Sequence, residues 1–385
     1  MALNKLTLDE LIRDTVSRHP KNIAITWKHP AHSNVEISEL ELKLARSRRE
    51  LKLLKKQAQA LPLYRGFLIR YRSHRVEAGV QRLNDKIEAK KWLGLTYETL
   101  FEYLVSFAKG LRLLGVSKGD RVAILGDNSP QWLIAALGIN WLGGITVPLP
   151  PQILQKKPKA LIETNQPLLE HNQPKAIVID KQYYDMITQE EPEFFDKISS
   201  LERIVIIEPG PMELRSLDKL QVAEVNEKPN ARVWWMNEVL HSGKLDTSEL
   251  KPENEEEDIA TIVYTSGTTG GSVGVMHTHR AIFSNVIFTK HTFPVGEKSR
   301  MLSTAPFAHV LGLLLCGYTV FHAGARYVIY TSLKNIAQDV KASKATHLVS
   351  FPQLYSRMFN RIYSNVESSG LKTVSYTHLT LPTKA

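Results

Sequence analysis

The sequence predicts an α/β fold of layered, mainly parallel β-sheets that helices cover on both faces. Short apolar runs typical of buried strands recur along the chain, and helical stretches alternate with most of them. Strands that alternate with helices need crossover connections, and these produce parallel sheets with helices on their faces. The chain has 385 residues, of which 43% are hydrophobic and 23% charged. It is therefore long enough for a sizeable core and typical of a globular protein.

Two helix starts carry clear local signals. Thr7 and Glu10 have the spacing of a capping box, which predicts that a helix begins after Thr7. Ser129 followed by Pro130 predicts an N-cap and a first helical residue, for a helix that runs to Trp141. The other helical stretches are predicted at 95–115, 158–163, 279–290, 333–341 and 353–366.

Apolar runs bounded by turn residues predict the strands. They lie at 23–27, 121–125, 145–148, 176–180, 203–207, 259–264, 300–304, 326–330 and 347–351. Two longer uncharged stretches, 129–155 and 305–325, are interrupted by glycine, proline and polar side chains. A membrane-spanning helix needs about 20 predominantly apolar residues. Each stretch is therefore predicted to be a buried helix followed by a buried strand.

A basic segment at residues 37–91 interrupts this pattern. Apolar residues at seven-residue spacing, from Ile37 to Leu61, describe one face of a helix. Between Lys43 and Lys91, 15 Lys and Arg stand against 4 Asp and Glu, a net charge of +11, whereas the whole chain carries +10. The segment is either a surface for an anionic membrane or a solvated helical hairpin that packs on its own domain. Nucleic acid is not expected, because aromatic residues are few and no recognition motif is present.

The clearest candidate site lies between Thr261 and His279. A predicted strand leads into a loop of hydroxyls and glycines, composed of Thr265, Ser266, Gly267, Thr268, Thr269, Gly270 and Gly271. Such a loop can offer backbone N–H groups and hydroxyls to one anion, because glycine adopts the dihedral angles that a cradle needs. The composition suits a polyphosphate. It differs from the nucleotide-triphosphatase P-loop, which ends in Gly-Lys-Ser/Thr.

This segment closely resembles the phosphate-binding loop of the AMP-forming acyl-adenylate synthetases, which usually reads YTSGTTGxPKGV. Residues 264–270, Gly274 and Val275 match that pattern. Ser272 and Val273 stand where the family usually has Pro-Lys, which removes a positive charge beside the phosphates. The resemblance implies that ATP phosphates are bound by the side chains of Thr265, Ser266, Thr268 and Thr269 and by the backbone of Gly267, Gly270 and Gly274.

Other segments resemble the long-chain acyl-CoA synthetase branch of that family. Residues 306–309, PFAH, are similar to its LPLAH motif, and 351–362 are similar to VPRLxxRMxDRI, with Gln353 in place of arginine. Residues 119–124 with Asn128 resemble the motif that opens the family's sequence. The resemblance implies that His309 lines the acyl site and orients the carboxylate near the α-phosphate. A histidine that only fills the core is the alternative.

The resemblance implies that residues 1–374 are the large N-terminal domain of the adenylate-forming fold, incomplete and interrupted by the helical insert 37–91. The implied activity is ATP-dependent conversion of a long-chain fatty acid to acyl-adenylate and then to acyl-CoA, with Mg²⁺ and coenzyme A. Family members continue further, with a magnesium-binding glutamate and a C-terminal lid. We assign no metal ligand here, expect little or no complete turnover from this chain, and expect 375–385 to be a non-native tail.

Two other functions stay open. One is another acyl-, aryl- or amino-acid-adenylating ligase, and the other is a catalytically silent relative that docks on membranes through 37–91. The first residues lack an apolar signal core, and the single cysteine, Cys316, allows no disulfide within the chain. We therefore expect a cytoplasmic protein, with peripheral membrane contact as an option.

Overall fold

The computed structural model describes residues 5–28, 35–60, 67–90, 92–151, 157–208, 232–266 and 272–368. Its strands are β1 (Ile23–Lys28), β2 (Trp92–Thr96), β3 (Arg121–Leu125), β4 (Ile145–Leu149), β5 (Ala176–Asp180), β6 (Arg203–Ile207), β7 (Val233–Trp235), β8 (Ile259–Ser266), β9 (Ser272–Thr278), β10 (Arg300–Ser303), β11 (Arg326–Ile329) and β12 (His347–Val349).

The helices come mostly between the strands. They are α1 (Leu8–Arg18), α2 (Val35–Ala60), α3 (Phe67–Lys90), α4 (Tyr97–Leu113), α5 (Pro130–Trp141), α6 (Pro158–Asn172), α7 (Lys181–Glu190), α8 (Met236–Leu245), α9 (His279–Thr292), α10 (Thr319–His322), α11 (Ile336–Ser343) and α12 (Pro352–Ser368). A 3₁₀ turn lies at Phe194–Lys197 and a π-helix at Leu311–Tyr318.

The strands form two sheets. A five-stranded sheet has the order β12-β10-β11-β1-β2, and a seven-stranded sheet has the order β7-β6-β5-β3-β4-β8-β9. Neighbouring strands pair in parallel except β2 on β1 and β9 on β8, which are antiparallel. The predicted fold of mainly parallel sheets covered by helices is confirmed.

The alternation of buried residues along the strands defines the layers. In β3, Val122 and Ile124 join the core between the two sheets, whereas Ala123 and Leu125 join the core under α6 and α7. In the other sheet, Leu302 and Val328 pack against α11 on the outer side. Successive strand residues point to opposite faces, so both sheets are covered on both sides. The described residues form a helix–sheet–helix–sheet–helix stack, with α1, α4, α5, α8 and α9 in the middle layer.

Helix α5 is buried along its length and carries a polar residue near its end. Ser129 Oγ caps it by accepting from Trp132 N (3.0 Å), as predicted. At the other end, the amide of buried Asn140 donates to the carbonyl of Ala260 (2.7 Å). The Tyr318 hydroxyl donates to its Oδ1 (3.0 Å). Asn140 therefore links α5 to the residue next to the start of β8 and to the end of the π-helix.

The predicted capping box at the first helix is wrong. Thr7 holds the N-cap position, but its side chain makes no capping hydrogen bond. The N–H of Leu8 instead donates to Nδ1 of His279, the first residue of α9 (3.2 Å). A free N–H at a helix start needs some acceptor, and here a residue far along the chain supplies it.

Helices α2 and α3 form an antiparallel pair. Leu44 of α2 packs against Val80 and Leu83 of α3. Farther along α2, Lys55 forms an ion pair with Glu77 of α3 (2.8 Å). The helical content predicted for 37–91 agrees with this pair. Among the helices of the described residues, none is long and apolar enough to cross a bilayer.

The π-helix packs closely on the turn that follows β10. A Cβ added at Gly312 would lie 2.0 Å from the carbonyl oxygen of Pro306, which backbone atoms do not tolerate. Cys316, in the same helix, is buried, and this burial raises the pKa of its thiol to about 11. A buried thiol of raised pKa is unreactive, so Cys316 serves as core packing. The position of the 306–309 turn therefore depends on glycine at 312.

Replacement of Asn140 by leucine is expected to lower the free energy of unfolding by about 2–4 kcal/mol. The variant leaves the carbonyl of Ala260 and the hydroxyl of Tyr318 without their partner in a buried site. Urea unfolding measures the change. Asn285→Leu on the exposed side of α9 is the control and should stay within about 0.5 kcal/mol of wild type. Equal effects of the two substitutions would contradict a special role for Asn140.

Gly312→Ala and Gly317→Ala form a matched pair within the π-helix. Gly312→Ala should destabilise the chain by about 2–3 kcal/mol, because the added methyl group forces the Pro306 backbone to move. At Gly317 the nearest atom to an added Cβ is 3.4 Å away. Gly317→Ala should therefore be neutral or stabilising by up to about 1 kcal/mol. Thermal and urea unfolding measure the stability of both variants. If both substitutions destabilised the chain, or both stabilised it, the packing argument would be refuted.

Candidate functional site

The carboxyl-terminal ends of parallel strands from both sheets meet in one region. Loops that follow such ends are where α/β proteins commonly place their ligands. Asn128, after β3, donates from Nδ2 to the carbonyl of Ala305 (2.9 Å), and its Oδ1 accepts from the N–H of Phe307 (2.7 Å). Ala305 and Phe307 follow β10 of the other sheet. This two-bond junction joins the carboxyl ends of the two sheets, and we call the region around it the carboxyl-edge crevice.

The predicted phosphate loop is the turn of a β-hairpin at this edge. Strand β8 runs parallel to β4 and ends at Ser266, and β9 returns from Ser272 in antiparallel register. Thr265 is exposed near the end of β8, opposite Val273. Strand β4 separates β8 from β3, so the hairpin lies roughly 10 Å, or two strand spacings, from the loop that carries Asn128.

Several of the predicted ligands lie in the turn itself. Gly267, Thr268, Thr269 and Gly270 fall outside the described residues, and their roles stay predictions. Thr265, Ser266 and Gly274 lie on the two strands that carry the turn. The structure therefore fixes the two ends of the loop at the carboxyl-edge crevice.

Gly274 has a packing reason to be glycine. It is the Cα partner of Tyr264, and a Cβ at 274 would lie 3.3 Å from the ring of Tyr264 and 3.1 Å from Ile262. The hydroxyl of Tyr264 is 2.9 Å from Nδ1 of His171, at the end of α6. The ring of Tyr264 is therefore fixed at two places: its face packs against Gly274 of β9, and its hydroxyl contacts His171. This contact, which sequence reasoning missed, steadies the hairpin below its turn.

His309 lies in the turn after β10, on the other side of the Asn128 junction. Its backbone N–H donates to the carbonyl of Pro306 (3.0 Å), and its Nδ1 accepts from the N–H of Leu311 (3.2 Å). The imidazole is exposed and lies edge-on to the ring of Phe351, with 6.5 Å between centroids. In the neutral ring that accepts through Nδ1, the proton is on Nε2. His309 is thus not a core residue, and its remaining nitrogen can donate to a ligand.

An acidic group beside the junction escaped the sequence analysis. The carboxylate of Asp180 accepts from the N–H of Asp127 (2.8 Å), and Asp127 accepts from the hydroxyl of Tyr183 (2.6 Å). A Cβ on Gly126 would lie only 2.9 Å from the Asp180 carboxylate. Burial, with a contribution from Asp127, raises the pKa of Tyr183 above its usual range. These contacts hold the loop 126–128 and so position Asn128.

The described residues do not supply an evident magnesium site. Among them, no group of three or more His, Cys, Asp or Glu side chains is close enough to hold a metal ion. Asp127 and Asp180 already accept hydrogen bonds from the protein. Mg²⁺ is often held by one or two carboxylates together with substrate phosphates, and we assign no metal ligand among the described residues.

Comparisons with known proteins give a consistent result. Residues 76–380 match the family model described as AMP-binding enzyme. The chloroplastic long-chain-fatty-acid–[acyl-carrier-protein] ligase AEE15 of Arabidopsis thaliana is 26% identical over 294 residues, which are 72% of this chain and 36% of that protein. The long-chain-fatty-acid–CoA ligase FadD15 of Mycobacterium bovis is 25% identical over 296 residues, 75% of this chain and 43% of that protein.

Solved structures show the same fold. Coronafacic acid ligase from Pectobacterium brasiliense has a TM-score of 0.59 with 16% identity, over 92% of this chain and 52% of that one. This chain spans less than half the length of the two curated relatives. The family model matches most of the chain and includes both the hairpin and the His309 turn. The chain therefore belongs to the AMP-binding enzyme family.

Proposed function

We propose that this chain forms the ATP- and carboxylate-binding part of an AMP-forming ligase that activates a long-chain fatty acid and transfers it to coenzyme A. The observation that carries the proposal is the Asn128 junction. It joins the loop after β3 to the His309 turn, at the same edge of the fold where β8 enters the hairpin of the predicted phosphate loop. A nucleotide triphosphate on the hairpin and a carboxylate near His309 would share the crevice. Family membership and the names of the two curated relatives support this assignment.

The proposed reaction has two steps. A carboxylate oxygen of the fatty acid forms a bond to the α-phosphorus of ATP, the α–β phosphoanhydride bond breaks, and pyrophosphate leaves. The sulfur of coenzyme A then attacks the acyl carbon, AMP leaves, and the thiol proton passes to solvent or a base. The first step joins two anions, so the protein's main contributions are positioning and electrostatic stabilisation. The hydroxyl of Thr265 and the backbone of the turn would hold the phosphates.

His309 would orient the carboxylate. Because Nδ1 accepts from Leu311, the neutral ring offers its Nε2–H to an oxygen of the acid. The π-helix that follows is mostly buried and apolar, so the hydrocarbon chain of the acid would pass beside it. A ligase for another acyl or aryl acid would use the same groups near the phosphates and differ in this apolar wall.

ATP–pyrophosphate exchange tests the proposed function. In the full-length protein encoded by this gene, palmitate should stimulate exchange, while acetate and benzoate should stimulate it less. ATP binding to the chain itself is measured by calorimetry. Exchange with benzoate but not palmitate would favour an aryl-acid ligase. The absence of both ATP binding and exchange with any carboxylate would reject the enzyme assignment and favour a silent relative.

A variant with an added positive charge tests whether ATP binds at the hairpin. Val273 is 53% exposed opposite Thr265, so Val273→Lys places an ammonium group beside the turn. It should tighten ATP binding about 5-fold, since an added favourable charge interaction near the surface is worth about 1 kcal/mol. Val275→Lys lies on the same face of β9 but roughly 7 Å farther from the turn, and should have a smaller effect. If both substitutions changed the affinity for ATP equally, the triphosphate would not bind at the turn of the hairpin.

We also propose that helix α2 contacts an anionic membrane. One of its faces buries Leu44 and Leu54. The opposite face carries Leu42, Arg46, Arg49, Leu53 and Lys56, which share one side because their spacing follows the helical repeat. The two leucines are 57% and 62% exposed, and the three cations are exposed as well. Cations flanking apolar side chains on one helical face suit an interface of acidic lipid headgroups.

Vesicle sedimentation tests this contact. The chain should bind phosphatidylcholine vesicles that contain phosphatidylserine, bind plain phosphatidylcholine weakly, and lose binding as salt increases. Arg46→Gln with Arg49→Gln should weaken binding about 30-fold, at roughly 1 kcal/mol for each cation. The control, Lys159→Gln with Lys298→Gln, removes the same charge elsewhere. Equal losses in both variants, or binding that salt does not weaken, would reject α2 as the membrane contact.

A further inference from the structure

A pocket opens at the end of the five-stranded sheet opposite to the carboxyl-edge crevice. Its volume is about 390 Å³, and its cationic lining comes from Arg300, Arg326 and Lys344. Arg300 and Arg326 are the first residues of β10 and β11, so the pocket lies at the amino-terminal ends of these strands. It is therefore separate from the proposed nucleotide and acyl site.

The two arginines are adjacent like charges. They are Cα partners in the parallel pairing of β10 with β11, so their side chains extend side by side from one face of the sheet. Both are partly buried. Burial, together with the charge of Arg300, lowers the pKa of Arg326. Within the described residues, neither guanidinium group nor the ammonium group of Lys344 forms a hydrogen bond or an ion pair.

Three neutral polar groups of the same pocket also lack partners. The hydroxyls of Thr26 and Ser343 and the indole N–H of Trp92 are buried without a hydrogen-bond partner among the described residues. Buried polar atoms are normally satisfied, and exceptions call for an explanation such as a ligand. These three polar atoms lie just beneath the pocket surface and can donate to a ligand after a small shift of their side chains, whereas the three neighbouring cationic side chains line the open pocket. The ligand that matches such a set of donors and cations is an anion with several acceptor oxygens.

One feature of the pocket opposes an anion. Ala342 and Ser343 end helix α11, and a helix carboxyl end carries about half a negative charge. Three full positive charges outweigh that partial charge. A dianion is favoured over a monoanion, because it neutralises more of the repulsion between Arg300 and Arg326.

We propose that this pocket binds a dianionic phosphate group, held by Arg300, Arg326 and Lys344 with hydrogen bonds from Thr26, Trp92 and Ser343. Arginine suits phosphate because its planar fork can donate two parallel hydrogen bonds. The volume is within the range of small-molecule sites, and the apolar side chains of Ile23 and Leu93 line the rest of it. The size and these walls favour a phosphorylated organic molecule over free phosphate.

Calorimetric titration of the whole chain with inorganic phosphate and with ribose 5-phosphate tests the proposal. Both probes can also enter the proposed phosphate loop, so the comparison of wild type with a variant at Arg326, which lines only the present pocket, decides which site is measured. Arg326→Met keeps an unbranched side chain without the charge, and it should weaken binding about 10- to 100-fold. Arg361→Met, an exposed arginine of α12, is the control and should leave binding unchanged. If ribose 5-phosphate binds more tightly than phosphate, the ligand is a phosphorylated organic molecule. If the two affinities are equal, the ligand is free phosphate.

A second variant separates ligand binding from a structural role. Thr26→Val removes the hydroxyl and keeps the shape of the side chain. Without ligand its thermal midpoint should stay the same or rise, because an unpaired buried hydroxyl is lost, while phosphate binding weakens by about 3- to 10-fold. The proposal is overturned if neither probe binds up to about 10 mM, if Arg326→Met binds as wild type does, or if Thr26→Val lowers the midpoint without changing binding.

Discussion

The hydrogen bonds of Asn140 are the constraint on which the geometry of the candidate site depends. Its amide nitrogen donates to the carbonyl of Ala260, and its side-chain oxygen accepts from Tyr318. Ala260 lies in the strand that leads to the predicted phosphate loop, and Tyr318 ends the π-helix that follows His309. One buried side chain thus sets the position of both halves of the site relative to α5. Because Asn140 and both partners are buried, a shift of either partner would leave a polar group unpaired away from water.

The sequence predicted the interior strands well and most of the edge strands badly. Buried parallel strands such as β3, β5 and β6 are continuous apolar runs, and their predicted bounds match the structure. The strands β2, β7 and β9 were not predicted, and all three lie at the edge of a sheet. An edge strand needs fewer apolar residues because one side lacks a neighbour. In β9, Val273, Val275 and Met276 are exposed, so the usual alternation of buried and exposed residues is absent.

The sequence could indicate a candidate site only where the residues of that site are close together in the chain. The hydroxyls and glycines of the phosphate loop are contiguous in sequence, and Gly274 lies close behind them. The contacts that position this loop and the His309 turn are not local. Tyr264 meets His171, Asn128 meets Ala305, and Gly312 meets Pro306 only after the sheets have assembled. The second role of His309, as the acceptor for the N–H of Leu311, likewise requires the backbone geometry of the turn. A single sequence carries no signal for such pairs.

The distribution of charge distinguishes the three anion-binding surfaces that we propose for this chain. The segment from Lys43 to Lys91 carries more than the whole net charge of +10, so the rest of the chain is close to neutral. A neutral body provides little long-range attraction for anions. Attraction must then come from local clusters: exposed cations on α2, which salt screens readily, and the partly buried pair Arg300 and Arg326, which salt screens less. The proposed phosphate site on the hairpin depends least on charge, since Val273 stands where the family usually has lysine and only hydroxyls and backbone N–H groups would hold the phosphates.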